Sequence, residues 1–271
     1  MPVVRAGEVD LYYESHGEGP PLVCIMGLGV NHHGWDLQVP TFAQRFRTIV
    51  FDNRGVGRSD KPDGPYRTAQ MARDTLALMD ALGIARAHVL GLSMGGMIAQ
   101  ELCIAAPERV DRLVLACTYA RATQDFVEAA QKGAVGVRME DLASITPEQL
   151  FERMLPYVLS EAFLASDGER IRVLFRKIAG GFSMRGFLGQ LGAVFTHDAT
   201  DRLAAVRAPT LVVTGTADRM VPHRCSERLA ELIPGATLRL FHGASHGFNF
   251  EIPEAFGAAI LQFLDGAAAA T

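Results

Sequence analysis

A serine between glycines, an aspartate and a histidine occur along this chain in an order that could support nucleophilic catalysis. Ser93 lies in GLSMG, residues 91–95, where an aliphatic run gives way to a helical pattern. Glycine tolerates positive φ and close backbone approach, so the pattern predicts a sharp turn with the serine at its tip. Asp218, in TGTADRMVP, and His246, in FHGASHGF, each follow a later strand-like run.

These three residue types complement one another chemically. A serine hydroxyl is a weak nucleophile, so it needs a base that titrates near neutrality and a third group that holds the base in the right tautomer. We expect His246 to be the base and Asp218 to orient it. The backbone N–H of Met94, directly after the nucleophile, would face a developing oxyanion. Asp218 or His246 alone would be more typical of an ordinary turn or loop, and the serine pentapeptide alone fits a simple strand-to-helix turn equally well, so the hypothesis depends on the set.

Strands and helices alternate in the pattern that would position these side chains. Continuous apolar runs, which are typical of buried parallel strands, are PLVCIM from Pro21, TIVFD from Thr48, AHVLG from Ala87, RLVLA from Arg112 and TLVVT from Thr210. An alternating pair near the N-terminus predicts an antiparallel hairpin at the sheet edge. Helical spacing from Arg67 to Leu82 separates two of the strands. The sequence therefore predicts an α/β fold with a mostly parallel, doubly wound sheet.

The pattern changes between about residues 118 and 198, where strands give way to helix starts. TPEQ from Thr146 has capping-box spacing with proline in the first turn, and SDGE from Ser166 precedes a helical run to Ala179. We therefore predict a core domain formed by residues 1–118 and 199–271, and a helical cap insertion formed by residues 119–198.

Composition narrows the class of partner. The chain has 271 residues, 49% of them hydrophobic, and a net charge of −4 without a long basic run, which favours a small-molecule ligand over nucleic acid or a membrane. The four cysteines lack metal-ligand spacing and no HExxH occurs, so we expect no catalytic metal. With no leader pattern and no apolar run of membrane length, a cytoplasmic location is expected. The oligomeric state stays open.

The ordered set of motifs resembles the α/β-hydrolase superfamily from end to end. Besides the serine turn, the landmarks are MGLG from Met26, DNRGVGRS from Asp52, GTAD from Gly215 and SHG from Ser245. The resemblance implies the α/β-hydrolase fold, cofactor-free catalysis, and an oxyanion hole formed by the backbone N–H groups of Leu28 and Met94. Met26 stands where many relatives have histidine. Asp52 and Arg54 are expected to brace loops behind the site.

Within this superfamily, a serine nucleophile favours acyl transfer to water. GLSMGGM resembles the group of carboxylesterases and 3-oxoadipate enol-lactonases, so the expected substrates are water and a small ester or lactone. An enol-lactone of that kind carries a carboxylate and would require a basic residue in the pocket, for which Arg121, Arg185 and Arg219 are candidates. Hydrolysis of a carbon–carbon bond and a non-catalytic small-molecule receptor remain alternatives.

A dinucleotide-binding interpretation is weaker. Gly27 and Gly29 follow a strand and Asp52 ends the next one, but the third glycine of that motif is missing. The interpretation also leaves the serine, aspartate and histidine unexplained.

Large apolar residues near the predicted cap are candidates for a hydrophobic substrate pocket, although they would equally suit packing of the cap. These candidates are Trp35, Phe182, Met184, Phe187 and Leu188.

Overall fold

An eight-stranded β-sheet forms the centre of the computed structural model, which describes residues 2–133 and 137–266. The strands are β1 (Val3–Ala6), β2 (Val9–His16), β3 (Pro21–Ile25), β4 (Arg47–Phe51), β5 (Ala87–Leu92), β6 (Val110–Ala116), β7 (Thr210–Gly215) and β8 (Thr237–Phe241). Their order in the sheet is β1-β2-β4-β3-β5-β6-β7-β8. Strand β2 is antiparallel to β1 and β4, and all other neighbours are parallel. The predicted mostly parallel sheet with an antiparallel edge is confirmed.

The central strands are apolar throughout because both faces of the sheet are covered. In β3, Leu22 and Cys24 pack in one hydrophobic cluster, whereas Val23 and Ile25 pack in the other. Side chains that follow one another along a strand point to opposite faces, so an uninterrupted apolar run is what a strand covered on both faces requires.

Helices cover both faces. They are α1 (Val39–Phe42), α2 (Thr68–Ala81), α3 (Met94–Ala105), α4 (Gln124–Gln131), α5 (Pro147–Val158), α6 (Glu161–Ile178), α7 (Met184–Thr196), α8 (His223–Leu232), α9 (Phe248–Glu251) and α10 (Pro253–Leu264). Short 3₁₀ helices lie at His32–Trp35, Pro107–Arg109, Met139–Ala143 and Thr200–Ala205. Apolar residues of α2, α3 and α8 pack on one side of the sheet, and those of α1 and α10 pack on the other.

Between β6 and β7 the described residues contain α4 to α7 and no strand of the sheet. Arg121 and Asp198, near the two ends of this segment, form an isolated antiparallel bridge. The predicted helix start at Thr146 is confirmed, since its hydroxyl accepts a hydrogen bond from Gln149 N at 3.3 Å and Gln149 Oε1 accepts one from Thr146 N at 3.0 Å. This reciprocal pair satisfies two N–H groups at the start of α5.

The predicted helix start at Ser166 is wrong. Helix α6 begins at Glu161, and the Ser160 hydroxyl caps it by accepting a hydrogen bond from Phe163 N at 3.3 Å. Ser166 and Gly168 therefore lie inside the helix. The earlier serine supplies the cap, and packing of α6 outweighs the weak helix propensity of a single glycine.

The four cysteines are free thiols, three of them buried. Among the helices of the described residues, none is both long and apolar enough to cross a membrane. The cytoplasmic location stays a prediction.

Candidate active site

Ser93 occupies a tight turn between the end of β5 and the start of α3. Its φ of 56° lies in the left-handed region, which side-chain-bearing residues seldom adopt. The neighbouring glycines make the turn possible, because a Cβ at Gly91 would overlap the Gly95 carbonyl and a Cβ at Gly95 would overlap the Ile25 carbonyl. The backbone thereby holds the Ser93 side chain at the carboxyl edge of the sheet.

The loop after β3 lies directly against Ser93. A Cβ built on Gly27 would be 3.8 Å from Ser93 Oγ, so Gly27 leaves room for the hydroxyl. Among the described residues, neither the N–H of Leu28 nor that of Met94 donates to a backbone or side-chain acceptor. Met94 is also the first residue of α3, where the helix dipole favours negative charge. Of these two uncommitted donors, Met94 follows the serine directly in the chain, and Leu28 lines the same cavity as the serine.

Asp218 and His246 are joined by a hydrogen bond of 2.7 Å between Asp218 Oδ2 and His246 Nδ1. The other carboxylate oxygen, Oδ1, accepts hydrogen bonds from the backbone N–H groups of Met220 and Val221, at 2.8 and 2.7 Å. These bonds fix the carboxylate after β7, and Asp218 in turn orients the imidazole ring.

The loop that carries His246 is tied to α5. Gly247 N donates to the Val158 carbonyl at 2.7 Å, and Ser245 Oγ donates to the same carbonyl at 2.7 Å. Glu251 accepts from the backbone of Ser245 and of Ser160 at the start of α6. The position of the imidazole therefore depends on the helices between β6 and β7 as well as on the sheet.

Opposing effects act on the pKa of His246. Burial lowers this pKa, but the negative charge of Asp218 and its hydrogen bond outweigh burial and raise it well above 6.5. The thiol of Cys117 also contacts the imidazole, and burial raises the pKa of Cys117, so the thiol is neutral near pH 7. Asp218 is therefore the group whose charge favours the imidazolium.

Cys117, Asp218 and His246 are the one group of three potential metal ligands that the described residues bring together, with ligand atoms within 4.8 Å of one another. The carboxylate oxygens of Asp218 already accept three hydrogen bonds, one of them from the imidazole of His246. A neutral buried thiol is also a poor ligand, because metals bind the thiolate. The donor set fits a histidine–carboxylate pair better than a metal centre.

Ser93 and His246 line the same cavity, whose volume is about 1030 Å³ when the space that opens to solvent is included. No hydrogen bond joins Ser93 Oγ to His246 within the described part of the chain, where the ring is bonded to Asp218. Hydrogen bonds between a nucleophile and its base commonly tighten only when substrate binds. The arrangement brings a hydroxyl, an oriented imidazole and the backbone of Leu28 to one cavity, whereas Met94 is fully buried directly behind Ser93 in the chain.

Comparison with known proteins places this architecture in a family. Residues 20–253 match the family described as alpha/beta hydrolase fold. The chain belongs to the α/β-hydrolase family. It is 33% identical over 267 residues to a protein of Azorhizobium caulinodans named carbamate hydrolase RutD, covering 97% of this chain and 98% of that one. It is also 32% identical over 259 residues to 3-oxoadipate enol-lactonase 2 of Acinetobacter baylyi, covering 95% and 94% of the two chains.

Comparison with solved structures also supports the α/β-hydrolase fold of this chain. The crystal structure of the enol-lactonase from Burkholderia xenovorans superposes with a TM-score of 0.88 at 28% identity, covering 97% of this chain and 100% of that one. A hydrolase function is therefore supported.

Of the five predicted pocket residues of this α/β hydrolase, Phe187 alone lines the cavity. Trp35 is fully buried in the core beside Met26. Phe182 packs against Phe151 and Phe187 behind the lining, and Met184 joins the same hydrophobic cluster. Leu188 is 41% exposed. Helix α7 turns about 100° per residue, so Phe187 and its neighbour Leu188 point in different directions.

Asp52 and Arg54 brace loops, as predicted. The fully buried Asp52 carboxylate accepts hydrogen bonds from His32 N, His32 Nδ1 and Arg58 N, each at 2.7 Å. Arg54 Nη2 donates to Asp74 Oδ1 at 2.6 Å. Neither residue lines the cavity.

Sequence reasoning missed Gln190, which is fully buried in α7. Its Oε1 accepts from Gly29 N at 2.8 Å, and its Nε2 donates to the Arg54 carbonyl at 2.8 Å. It therefore fixes the loop that carries Leu28. The available signal was one amide side chain within the apolar run FLGQLGAVF.

Proposed function

We propose that this α/β hydrolase is a serine hydrolase that cleaves carboxylic esters or lactones through an acyl-enzyme. Ser93 is the nucleophile, His246 the general base and Asp218 the residue that orients the base. The backbone N–H groups of Leu28 and Met94 form the oxyanion hole. The observation that carries the proposal is the strained Ser93 turn facing the same cavity as an imidazole bonded to a carboxylate at 2.7 Å.

The reaction proceeds in two acyl-transfer steps. Because His246 Nδ1 is engaged by Asp218, Nε2 accepts the Ser93 proton as Oγ attacks the carbonyl carbon. The oxyanion binds the two backbone N–H groups, and the tetrahedral intermediate then expels the alkoxide, which takes the proton from His246. Water next attacks the acyl-serine, giving its proton to His246, which returns it to Ser93 as the acid leaves. In a lactone the alkoxide remains part of the acyl chain.

We also propose that residues 119–198 form a cap over the core made by residues 1–118 and 199–271. Helices α5, α6 and α7 contribute Leu150, Phe175 and Phe187 to the cavity wall, which supports this division. The relatives named enol-lactonase support lactones as members of the substrate class, whereas the relative named carbamate hydrolase extends the same acyl chemistry to a nitrogen-bearing carbonyl.

The test is acylation of Ser93. Wild-type protein should show a burst of p-nitrophenol from p-nitrophenyl butyrate, and rapid-quench mass spectrometry should locate the butyryl group on Ser93. The Ser93→Ala variant should lose both signals, whereas Ser166→Ala, which changes an exposed serine of α6, should retain them. Normal turnover by Ser93→Ala would contradict the proposal. A protein that binds apolar ligands but acylates with no ester or lactone would instead be a receptor.

A further inference from the structure

Within the described part of the chain, the lining of the cavity beside Ser93 has no charged side chain other than the titratable His246: it contains neither arginine nor lysine, and neither aspartate nor glutamate. The remaining polar side chains in the lining belong to Tyr119 and Asn249, and both are engaged by the protein. Tyr119 donates to the Val194 carbonyl at 2.9 Å, and Asn249 Nδ2 donates to the Gly34 carbonyl at 3.3 Å. Among the described residues Asn249 Oδ1 has no hydrogen-bond partner, and as an acceptor it would not stabilise a carboxylate.

Aromatic and thioether side chains make up much of the wall. Four phenylalanines and four methionines contribute: Phe151, Phe175, Phe187, Phe250, Met26, Met97, Met154 and Met220. The rings support one another, with centroids 6.1 Å apart for Phe151 and Phe175 and 5.7 Å apart for Phe175 and Phe250. A carboxylate held against this wall would lose its hydration without gaining a charged partner of its own, because the imidazole of His246 is already paired with Asp218 at 2.7 Å, and this loss is strongly unfavourable.

The three arginines that could have bound a substrate carboxylate lie elsewhere. Arg185 is exposed and pairs with Asp63 at 2.9 Å. Arg219 is exposed, where it donates to the Pro156 carbonyl and stacks on the Tyr157 ring. Arg121 lines a neighbouring cleft, which shares Tyr119 and Val221 with the wall of the Ser93 cavity, and its backbone pairs with that of Asp198. None of them contributes to the lining of the Ser93 cavity.

We infer that the cavity selects neutral, hydrophobic acyl compounds and rejects substrates that carry a carboxylate. This inference rests on the proposed function and narrows its substrate class. It excludes the enol-lactone of 3-oxoadipate, which carries a carboxylate, as a substrate of this chain, although a relative is named for that substrate. The preferred substrates are esters or lactones whose buried part is an uncharged alkyl or aryl group.

A matched pair of esters tests the inference. Mono-p-nitrophenyl adipate and its methyl ester have the same scissile bond and chain length, and they differ by one methyl group that removes the remote charge. Because the anion has no partner in the cavity, kcat/KM should be at least about 100-fold higher for the methyl ester at pH 8. Equal values, or a preference for the anion, would overturn the inference.

A cation placed in the wall should reduce this discrimination. Met154 lines the cavity on α5 and is only partly buried, so a lysine there can be accommodated. Met154→Lys should lower the ratio between the two esters by at least about tenfold. Met139→Lys, at a position that is 38% exposed and outside the lining, is the matched control and should leave the ratio unchanged.

Ligand binding separates failure of the inference from failure of the proposed chemistry. In Ser93→Ala, dimethyl adipate should displace the neutral dye Nile red at a concentration about tenfold or more below that needed for monomethyl adipate. Equal displacement by the two adipates, together with acylation of Ser93, would contradict the inferred substrate class but would still support the proposed serine hydrolase. Absence of Ser93 acylation by either ester would contradict the proposed function, and the displacement ratio alone would then decide the ligand class.

Discussion

Asp218 Oδ2 accepts a hydrogen bond from His246 Nδ1 at 2.7 Å, and both side chains are buried. Burial lowers the pKa of His246, but the negative charge of this carboxylate opposes burial, and the pKa is raised well above 6.5. Under the proposed function, the neutral imidazole is the active form. The wild-type kcat/KM should therefore fall as the pH decreases through this raised pKa, with the acid limb above pH 6.5.

Asp218→Asn tests this relationship directly. Loss of the carboxylate removes the orienting charge, so kcat should fall by about 10⁴-fold. Because burial is then opposed only by the weaker effect of Cys117, the pKa of His246 should move to a lower value, which NMR titration of the ring protons would measure. Asp201→Asn, at an exposed position, serves as the control and should leave both quantities unchanged. An unshifted His246 titration in Asp218→Asn would show that another group sets the pKa.

Gly95 allows the turn that presents Ser93. A Cβ at this position would overlap the backbone carbonyl oxygen of Ile25, and a backbone atom cannot move aside cheaply. Gly95→Ala should reduce the free energy of unfolding by about 1–3 kcal/mol. It should also lower kcat/KM by about 100-fold, because displacement of the turn misplaces Ser93. Denaturant titration and ester kinetics would measure the two effects.

Gly257→Ala is the matched control for that substitution. The new methyl group would lie 3.6 Å from Thr41 Cγ2, an ordinary packing distance, and Gly257 is inside α10. Replacing a helical glycine by alanine should therefore be neutral or stabilise the fold by up to about 1 kcal/mol. If Gly95→Ala behaved like this control, close packing at the turn would not explain the glycine.

Local patterns were enough to predict the main elements of the sheet and the positions of Ser93, Asp218 and His246 at strand ends. Buried parallel strands are apolar at every position, and glycines on both sides of a serine after such a strand predict a sharp turn with the serine at its tip. The start of α6 was harder to predict from the sequence, because Ser160 and Ser166 are both suitable caps. Only the tertiary packing of α6 determines that Ser160 is used.

The cavity wall could not be predicted from residue type. Phe187 and Leu188 are neighbours of similar hydrophobicity, yet one lines the cavity and the other is 41% exposed. Their difference depends on the rotation of α7 relative to the sheet. Contacts between distant residues, such as Cys117 with His246 and Gln190 with Gly29, likewise depend on the folded arrangement.

Gln190 should be a positioning residue for the loop that contains Leu28. In Gln190→Leu, the buried N–H of Gly29 and the carbonyl of Arg54 would each lose a partner, at a cost of about 1–3 kcal/mol per group. We expect lower stability together with a decrease in kcat that exceeds any change in KM, because an oxyanion donor contributes mainly in the transition state. Gln131→Leu, at an exposed position, should change neither. A loss of stability with unchanged kcat would restrict Gln190 to a structural role.

The ion pair between Arg54 and Asp74 should contribute to stability in a way that an exposed pair does not. Arg54 and Asp74 side chains are 4% and 8% exposed, and their second contact, from Nη2 to Oδ1, is 2.6 Å. Arg54→Leu would leave the Asp74 carboxylate buried without its partner, which should reduce the free energy of unfolding by about 3–5 kcal/mol. Guanidinium titration at pH 7 would measure this loss.

The pair between Arg45 and Asp265 provides the comparison, because it also joins an arginine to an aspartate but is 57% and 37% exposed. Water already solvates both groups, so Arg45→Leu should cost less than about 1 kcal/mol. Equal losses for the two variants would mean that burial does not determine the contribution of the Arg54–Asp74 pair. A large loss confined to Arg54→Leu would instead show that the loop after β4 depends on a partner in α2, since Asp74 lies on that helix.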